Sequence, residues 1–213
     1  MKISLLIYDL DGTLIDSKQD IANSVNWTLT QLGLPTVSNE VVYSYVGNGV
    51  RPLIAKSVGE EGGAKFKEAL KIFKTHYLEH LLDQTQLFAG VKEVLHHFKG
   101  KTQAVLTNKP GVFSLPILKG LKVDHYFSAI IGGEDGFPKK PDPAAIHHLL
   151  KEFNCPPAQA VMIGDSRVDI ETGKNAGILT CGVTYGFRGE EEVHASQPDF
   201  LIAEPHEIIL LFK

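Results

Sequence analysis

The stretch "ISLLIYDLDGTLID", residues 3–16, decides how the rest of the chain is read. Its first half, "ISLLIY" (3–8), is an unbroken apolar run, too short for a helix and bounded by aspartate and glycine, which predicts a buried strand. Side chains at i and i+2 of an extended chain point the same way, so Asp9 and Asp11 share a face where the strand ends. Two like charges on one face repel, and an unpaired buried carboxylate is costly. A positive charge is therefore expected between them.

Similar short runs recur downstream: "QAVLT" (103–107), "SAIIG" (128–132), "AVMIG" (160–164), "LTCGVT" (179–184) and a weaker "DFLI" (199–202). Helical patterns fall between the later ones. Leu95 and Phe98 belong to one, "DPAAIHHLLKEF" (142–153) carries Ile146, Leu149, Leu150 and Phe153 on one stripe, and "RVDIETGKNAG" (167–177) stops at Gly177. Buried strands alternating with helices predict an α/β fold, a doubly wound, Rossmann-like parallel sheet. Ligands of such sheets bind at the carboxyl ends of the strands, where Asp9, Asp11, Thr107, Asn108 and Asp165 all fall.

Residues 16–83 break the alternation. Ser17 and Asp20 have capping-box spacing ahead of the stripe Ile21, Val25, Leu29 and Leu32, which Gly33 and Pro35 end. Ser38 suits the cap of a second helix, "VRPLIAKSV" (50–58) reads as a third, and "AKFKEALKIFKTHYLEHLL" (64–82) as the longest. Its stripe is Phe66, Leu70, Phe73, Tyr77 and Leu81. The expected organisation is a core of 1–15 and 84–213 with a small helical insertion at 16–83.

Composition narrows the function. A chain of 213 residues with 43% hydrophobic side chains can bury a real core, and a net charge of −4 gives nucleic acid no basic surface to bind. No apolar run approaches the length of a membrane span, and the first run meets Asp9 too soon for a signal peptide. Cys155 and Cys181, far apart, read as reduced thiols of a cytoplasmic protein. His76 and His80 lie one helical turn apart but lack a third ligand in view, so a solvated face is the reading there. Adjacent His96–His97 and His147–His148 cannot share a helical face.

Four segments stand in order: "DLDGT" (9–13), "LTNKP" (106–110), "KKPDP" (139–143) and "GDSRVD" (164–169). Together they resemble the motifs of the haloacid dehalogenase superfamily. With "YVGNG" (45–49), "IIGGED" (130–135), "VTYGFR" (183–188) and "SQPDF" (196–200), the set resembles the phosphoglycolate phosphatases of that superfamily over nearly the full chain. The resemblance implies that the helical insertion is a cap and that Asp11 lends a metal its main-chain carbonyl.

Each role also has a physical warrant. A divalent cation between Asp9 and Asp165 would neutralise the clustered acids, and hard oxygen ligands beside a phosphate favour Mg²⁺. Asp9 is then the nucleophile and Asp11 the general acid and base. Thr107 and the amide of Asn108 would bind phosphoryl oxygens, and Lys140, with Lys139 as the fallback, would balance charge. Asp169 would orient metal-bound water or a neighbouring lysine. Gly47-Asn48-Gly49 lacks the third glycine and preceding strand of a dinucleotide loop, and with Arg51 it is the candidate substrate contact from the cap.

The expectation is a Mg²⁺-dependent phosphoric monoester hydrolase acting on 2-phosphoglycolate, a monomer or homodimer in the cytoplasm with neither membrane nor nucleic acid as partner. Pyrophosphate, a nucleoside monophosphate or a sugar phosphate are rival substrates for the same core. A sugar phosphomutase would also use this core, and a non-catalytic phosphate-sensing module would use the same fold.

Overall fold

The apolar runs become strands whose two faces are both covered, which is why they do not alternate with polar residues. A computed structural model describes residues 2–212. The strands are β1 (Leu5–Tyr8), β4 (Thr102–Leu106), β5 (Ala129–Ile131), β6 (Ala160–Gly164), β7 (Leu179–Val183) and β8 (Phe200–Ile202). They form one sheet in the order β5-β4-β1-β6-β7-β8, and every pairing is parallel. Short strands β2 (Ile15–Asp16) and β3 (Gln86–Leu87) pair separately.

The helices of this part are α5 (Val91–His97), α6 (Gly111–Gly120), α7 (Ala144–Glu152), α8 (Arg167–Ala176), α9 (Gly189–Ala195) and α10 (Glu207–Leu211). Leu5 and Ile7 of β1 bury against Ile146, Leu149 and Leu150 of α7, together with Ala104, Leu106, Ala160 and Met162 from the neighbouring strands. Phe153 is partly buried against the same cluster. The chain runs from β1 towards β4 but from β6 towards β7, so the sheet switches direction between β1 and β6. Such a switch opens a crevice beyond the strand ends.

By compactness the chain divides into two units, Met1–Asp16 with Leu87–Lys213, and Ser17–Gln86. The helices of the second are α1 (Lys18–Gln31), α2 (Asn39–Tyr45), α3 (Val50–Val58) and α4 (Ala64–Glu79). Ile21, Val25 and Leu29 of α1 are buried, as are Phe66, Ala69, Phe73 and Tyr77 of α4, and these two helices pack on each other. Ser38 caps α2 by accepting from the Val41 amide at 3.4 Å.

Two local expectations give way. The helix expected over 64–82 ends at Glu79, and buried Leu81 lies beyond it. Ser17 sits at the start of α1 without a side-chain cap, and Asp20 turns inward instead. Its carboxylate accepts from the amides of Gln84 and Thr85 at 3.0 and 2.8 Å, and from the Thr85 hydroxyl at 2.7 Å. Three donors outweigh the single amide that a capping box would offer.

Candidate active site

Beyond β1 the chain must turn at once, and Gly12, with φ +83°, supplies the left-handed residue. The amides of Leu14 and Ile15 return to the Leu10 carbonyl at 2.9 and 3.1 Å, which closes the turn and leaves Asp9 and Asp11 at the strand's end. A Cβ on Gly12 would lie 2.2 Å from Asp165 Oδ2, so glycine is needed for space as well as for its backbone. Asp165 follows β6, placing it across the switch point from Asp9.

Each of the two acids pairs with its own lysine. Lys140 Nζ lies 2.8 Å from Asp9 Oδ1 and also bonds Asp169 Oδ1. Lys109 Nζ lies 2.8 Å from Asp11 Oδ1. Of the adjacent lysines, Lys140 is the buried one and Lys139 only half-buried. Burial alone would lower the Lys140 ammonium, but the carboxylates of Asp169 and Asp9 outweigh it and hold it above the ordinary lysine range.

Asp9, Asp165 and Asp169 are all buried and each can offer an oxygen within 4.8 Å of the others. Burial, and then the charge of Asp169, push Asp9 up to about 7 against the opposing pull of Lys140. Burial, and then Asp169 and Asp9, raise Asp165 well above the usual carboxylate range. Asp9 Oδ1 has its ion pair but no aligned hydrogen-bond donor. With all groups ionised, the four acids against Lys109 and Lys140 leave an excess of two negative charges. An all-oxygen cluster short of two positive charges suits a hard divalent cation.

The other predicted residues sort around this centre. Thr107 follows β4 and its hydroxyl accepts from the Lys109 amide at 3.2 Å. The Asn108 side chain accepts from the Lys140 amide at 2.9 Å and donates to the Lys140 carbonyl at 3.3 Å, which fastens the lysine's main chain to the end of β4. Asp169 Oδ2 accepts from the amide and hydroxyl of Ser166, 3.1 and 2.6 Å away. Asn48 and Arg51 belong to the helical unit. Asn48 is exposed, and the exposed Arg51 lies over the Phe66 ring at 4.9 Å. His76 and His80 hydrogen-bond Ser24 and Asp83.

Three features escape sequence reasoning. Lys109 has only a turn-forming role there, because Asn, Lys and Pro suit loops. The Phe187 amide donates to Asp165 Oδ2 at 2.7 Å, and Gly186 lets this loop press so close that a Cβ would meet both Asp165 Cβ and the Gly12 carbonyl at 2.3 Å. Tyr185 donates its hydroxyl to the Thr13 carbonyl at 3.0 Å. "VTYGFR" is the available signal, yet no spacing says which acid a loop will embrace.

Residues 6–183 match the haloacid dehalogenase-like hydrolase family. A phosphoglycolate phosphatase of Colwellia psychrerythraea is 38% identical over 98% of this chain and 96% of its own length. One of Vibrio parahaemolyticus is 37% identical over 97% and 95%. Among solved structures, a predicted phosphoglycolate phosphatase from Haemophilus somnus superposes with a TM-score of 0.93 at 33% identity, covering 99% of this chain and 98% of that one. A haloacid dehalogenase-like family hydrolase of Streptococcus pneumoniae gives 0.88 at 27% identity over 98% and 97%.

Proposed function

Because the chain belongs to the haloacid dehalogenase-like hydrolase family, we propose that it is a Mg²⁺-dependent phosphatase hydrolysing 2-phosphoglycolate to glycolate and phosphate. The observation that carries this reading is the buried cluster of Asp9, Asp165 and Asp169, short of positive charge at the sheet's switch point. The names of the Colwellia and Vibrio relatives suggest the substrate.

In this reading an Asp9 oxygen attacks phosphorus, and an aspartyl-phosphate forms as the bond to the glycolate oxygen breaks. Asp11, protonated when the ester is bound, gives its proton to that oxygen. It then takes one from the water that attacks the intermediate, which frees phosphate and restores Asp9. The Thr107 hydroxyl and the Asn108 amide hold phosphoryl oxygens while Lys140 offsets their charge. Asp9, Asp165 and the main-chain carbonyl of Asp11 would hold Mg²⁺, which supplies charge neutralisation and Lewis acidity when bound. Asp169 keeps Lys140 in place.

We assign the helical insertion, expected over 16–83 and compact over Ser17–Gln86, the part of a cap, in which Asn48 and Arg51 meet the carboxylate end of the substrate. The guanidinium is suited to a carboxylate by its planar fork. The two buried free thiols, Cys155 and Cys181, suit a reducing cytoplasm.

Phosphate release from phosphoglycolate, pyrophosphate, a nucleoside monophosphate and sugar phosphates at one Mg²⁺ concentration tests the reading. Phosphoglycolate should show the highest kcat/KM, chelation of Mg²⁺ should abolish turnover, and Asp9→Asn should lower kcat by roughly three orders of magnitude or more. A different preferred ester overturns the substrate. A product that keeps its phosphate overturns hydrolysis, and an Asp9→Asn variant retaining a tenth of the rate overturns the nucleophile.

A further inference from the structure

Four acids crowd the ends of β1 and β6, yet the three that can share a cation are Asp9, Asp165 and Asp169. The side chain of Asp11, two residues from Asp9, stands outside that trio. Its partner is Lys109. Its ammonium lies 2.8 Å from Asp11 Oδ1, and both side chains are nearly closed to solvent, at 4% and 11% exposure. The base of that ammonium is itself fixed. The Lys109 amide donates to Thr107 Oγ1, and the Lys109 carbonyl accepts from the Gly133 amide at 3.0 Å and the Ser114 hydroxyl at 3.3 Å. The two buried lysines thus divide the acids, Lys140 taking Asp9 and Asp169 and Lys109 taking Asp11.

We propose that Lys109 is the positioning residue of the acid–base carboxylate: it holds the Asp11 side chain out of the cation cluster and in the place from which it serves the leaving group. A buried ion pair anchored at its lysine end defines the carboxylate's place far better than a solvated one, because a low dielectric strengthens the attraction and the chain ends cannot wander. Without the tether, Asp11 is drawn towards the same cation as its neighbours and away from the ester oxygen. The inference rests on the phosphatase reading for its consequence but not for its geometry.

The test compares wild type, Asp11→Asn, Lys109→Met and the double variant on phosphoglycolate, a poor leaving group, and on an aryl phosphate that departs with little protonation. Lys109→Met should lose ten- to a hundred-fold in kcat/KM on phosphoglycolate and less than about threefold on the aryl ester, following the pattern of Asp11→Asn. Adding Lys109→Met to Asp11→Asn should cost nothing further, since residues acting as one unit are not additive. Equal losses on both esters, or a full second loss in the double variant, overturn the inference. Lys109→Leu, which also removes the ammonium and is expected to show the same pattern, stands in if Lys109→Met does not fold. A crystal structure of the variant reads the tether without turnover. Asp11 found in its wild-type place overturns the inference, whereas a wild type that releases no phosphate from any ester overturns the phosphatase reading alone.

Discussion

Gly186 has no side chain to offer, yet it decides where a metal-ligand candidate stands. Its Cα lies so near Asp165 and the Gly12 carbonyl that an added Cβ would approach each to 2.3 Å. Backbone on one side cannot yield, so the carboxylate must move and lose the 2.7 Å bond from the Phe187 amide. Supports of this kind typically govern ten- to a hundred-fold in metal affinity. Gly186→Ala should therefore weaken Mg²⁺ binding by roughly that factor in calorimetric titration, with β7 and its neighbours still folded by circular dichroism. Unchanged affinity would mean that Asp165 has room to spare.

Between residues and folds, the elements show how one carboxylate can fasten a helix to a distant segment. Asp20 on α1 collects the amides of Gln84 and Thr85 and the Thr85 hydroxyl, joining the start of the helical unit to its end within that unit. An asparagine in its place keeps one acceptor oxygen and turns an amide towards donors. Asp20→Asn should cost about 1.5–3 kcal/mol of stability, the scale of hydrogen bonds to a charged group. Urea unfolding followed at the single tryptophan, Trp27 in α1, measures it. A loss below roughly 0.5 kcal/mol, the scale of an ordinary surface change, would show that the segment is held by packing alone.

For the molecule as a whole, the buried acids tie stability to pH and to metal. Unfolded, Asp9 and Asp165 titrate near 3.8; folded, burial holds Asp9 up to about 7 and Asp165 well above its usual range. The metal-free folded protein thus carries more protons than the unfolded chain between roughly pH 4 and 7, and its stability falls as pH rises through that window. A cation that binds the ionised acids offsets the loss at the upper end. Saturating Mg²⁺ should raise Tm more near pH 8 than near pH 5 in scanning calorimetry, and equal rises would exclude these acids as the binding group. The same scale divides what the sequence determined from what folding decided. Strands buried on both faces must be written as unbroken apolar runs, so β1, β4, β6 and β7 were legible, and with them the strand ends that carry Asp9, Asp11, Thr107 and Asp165. Caps are local too, and Ser38 and Gly177 behaved as their neighbours foretold. Of the acids' partners, Lys140 beside Asp9 had its signal in "KPDP", and the others had none. Among 21 lysines and arginines, nothing in spacing selects Lys109 for Asp11 across 98 positions of chain, or ties Asp20 to Thr85 across 65. The first pair exists because the order β5-β4-β1-β6-β7-β8 sets the loops after β1 and β4 side by side, and both exist because a buried charge takes whichever counter-charge or donor the closed fold brings within reach.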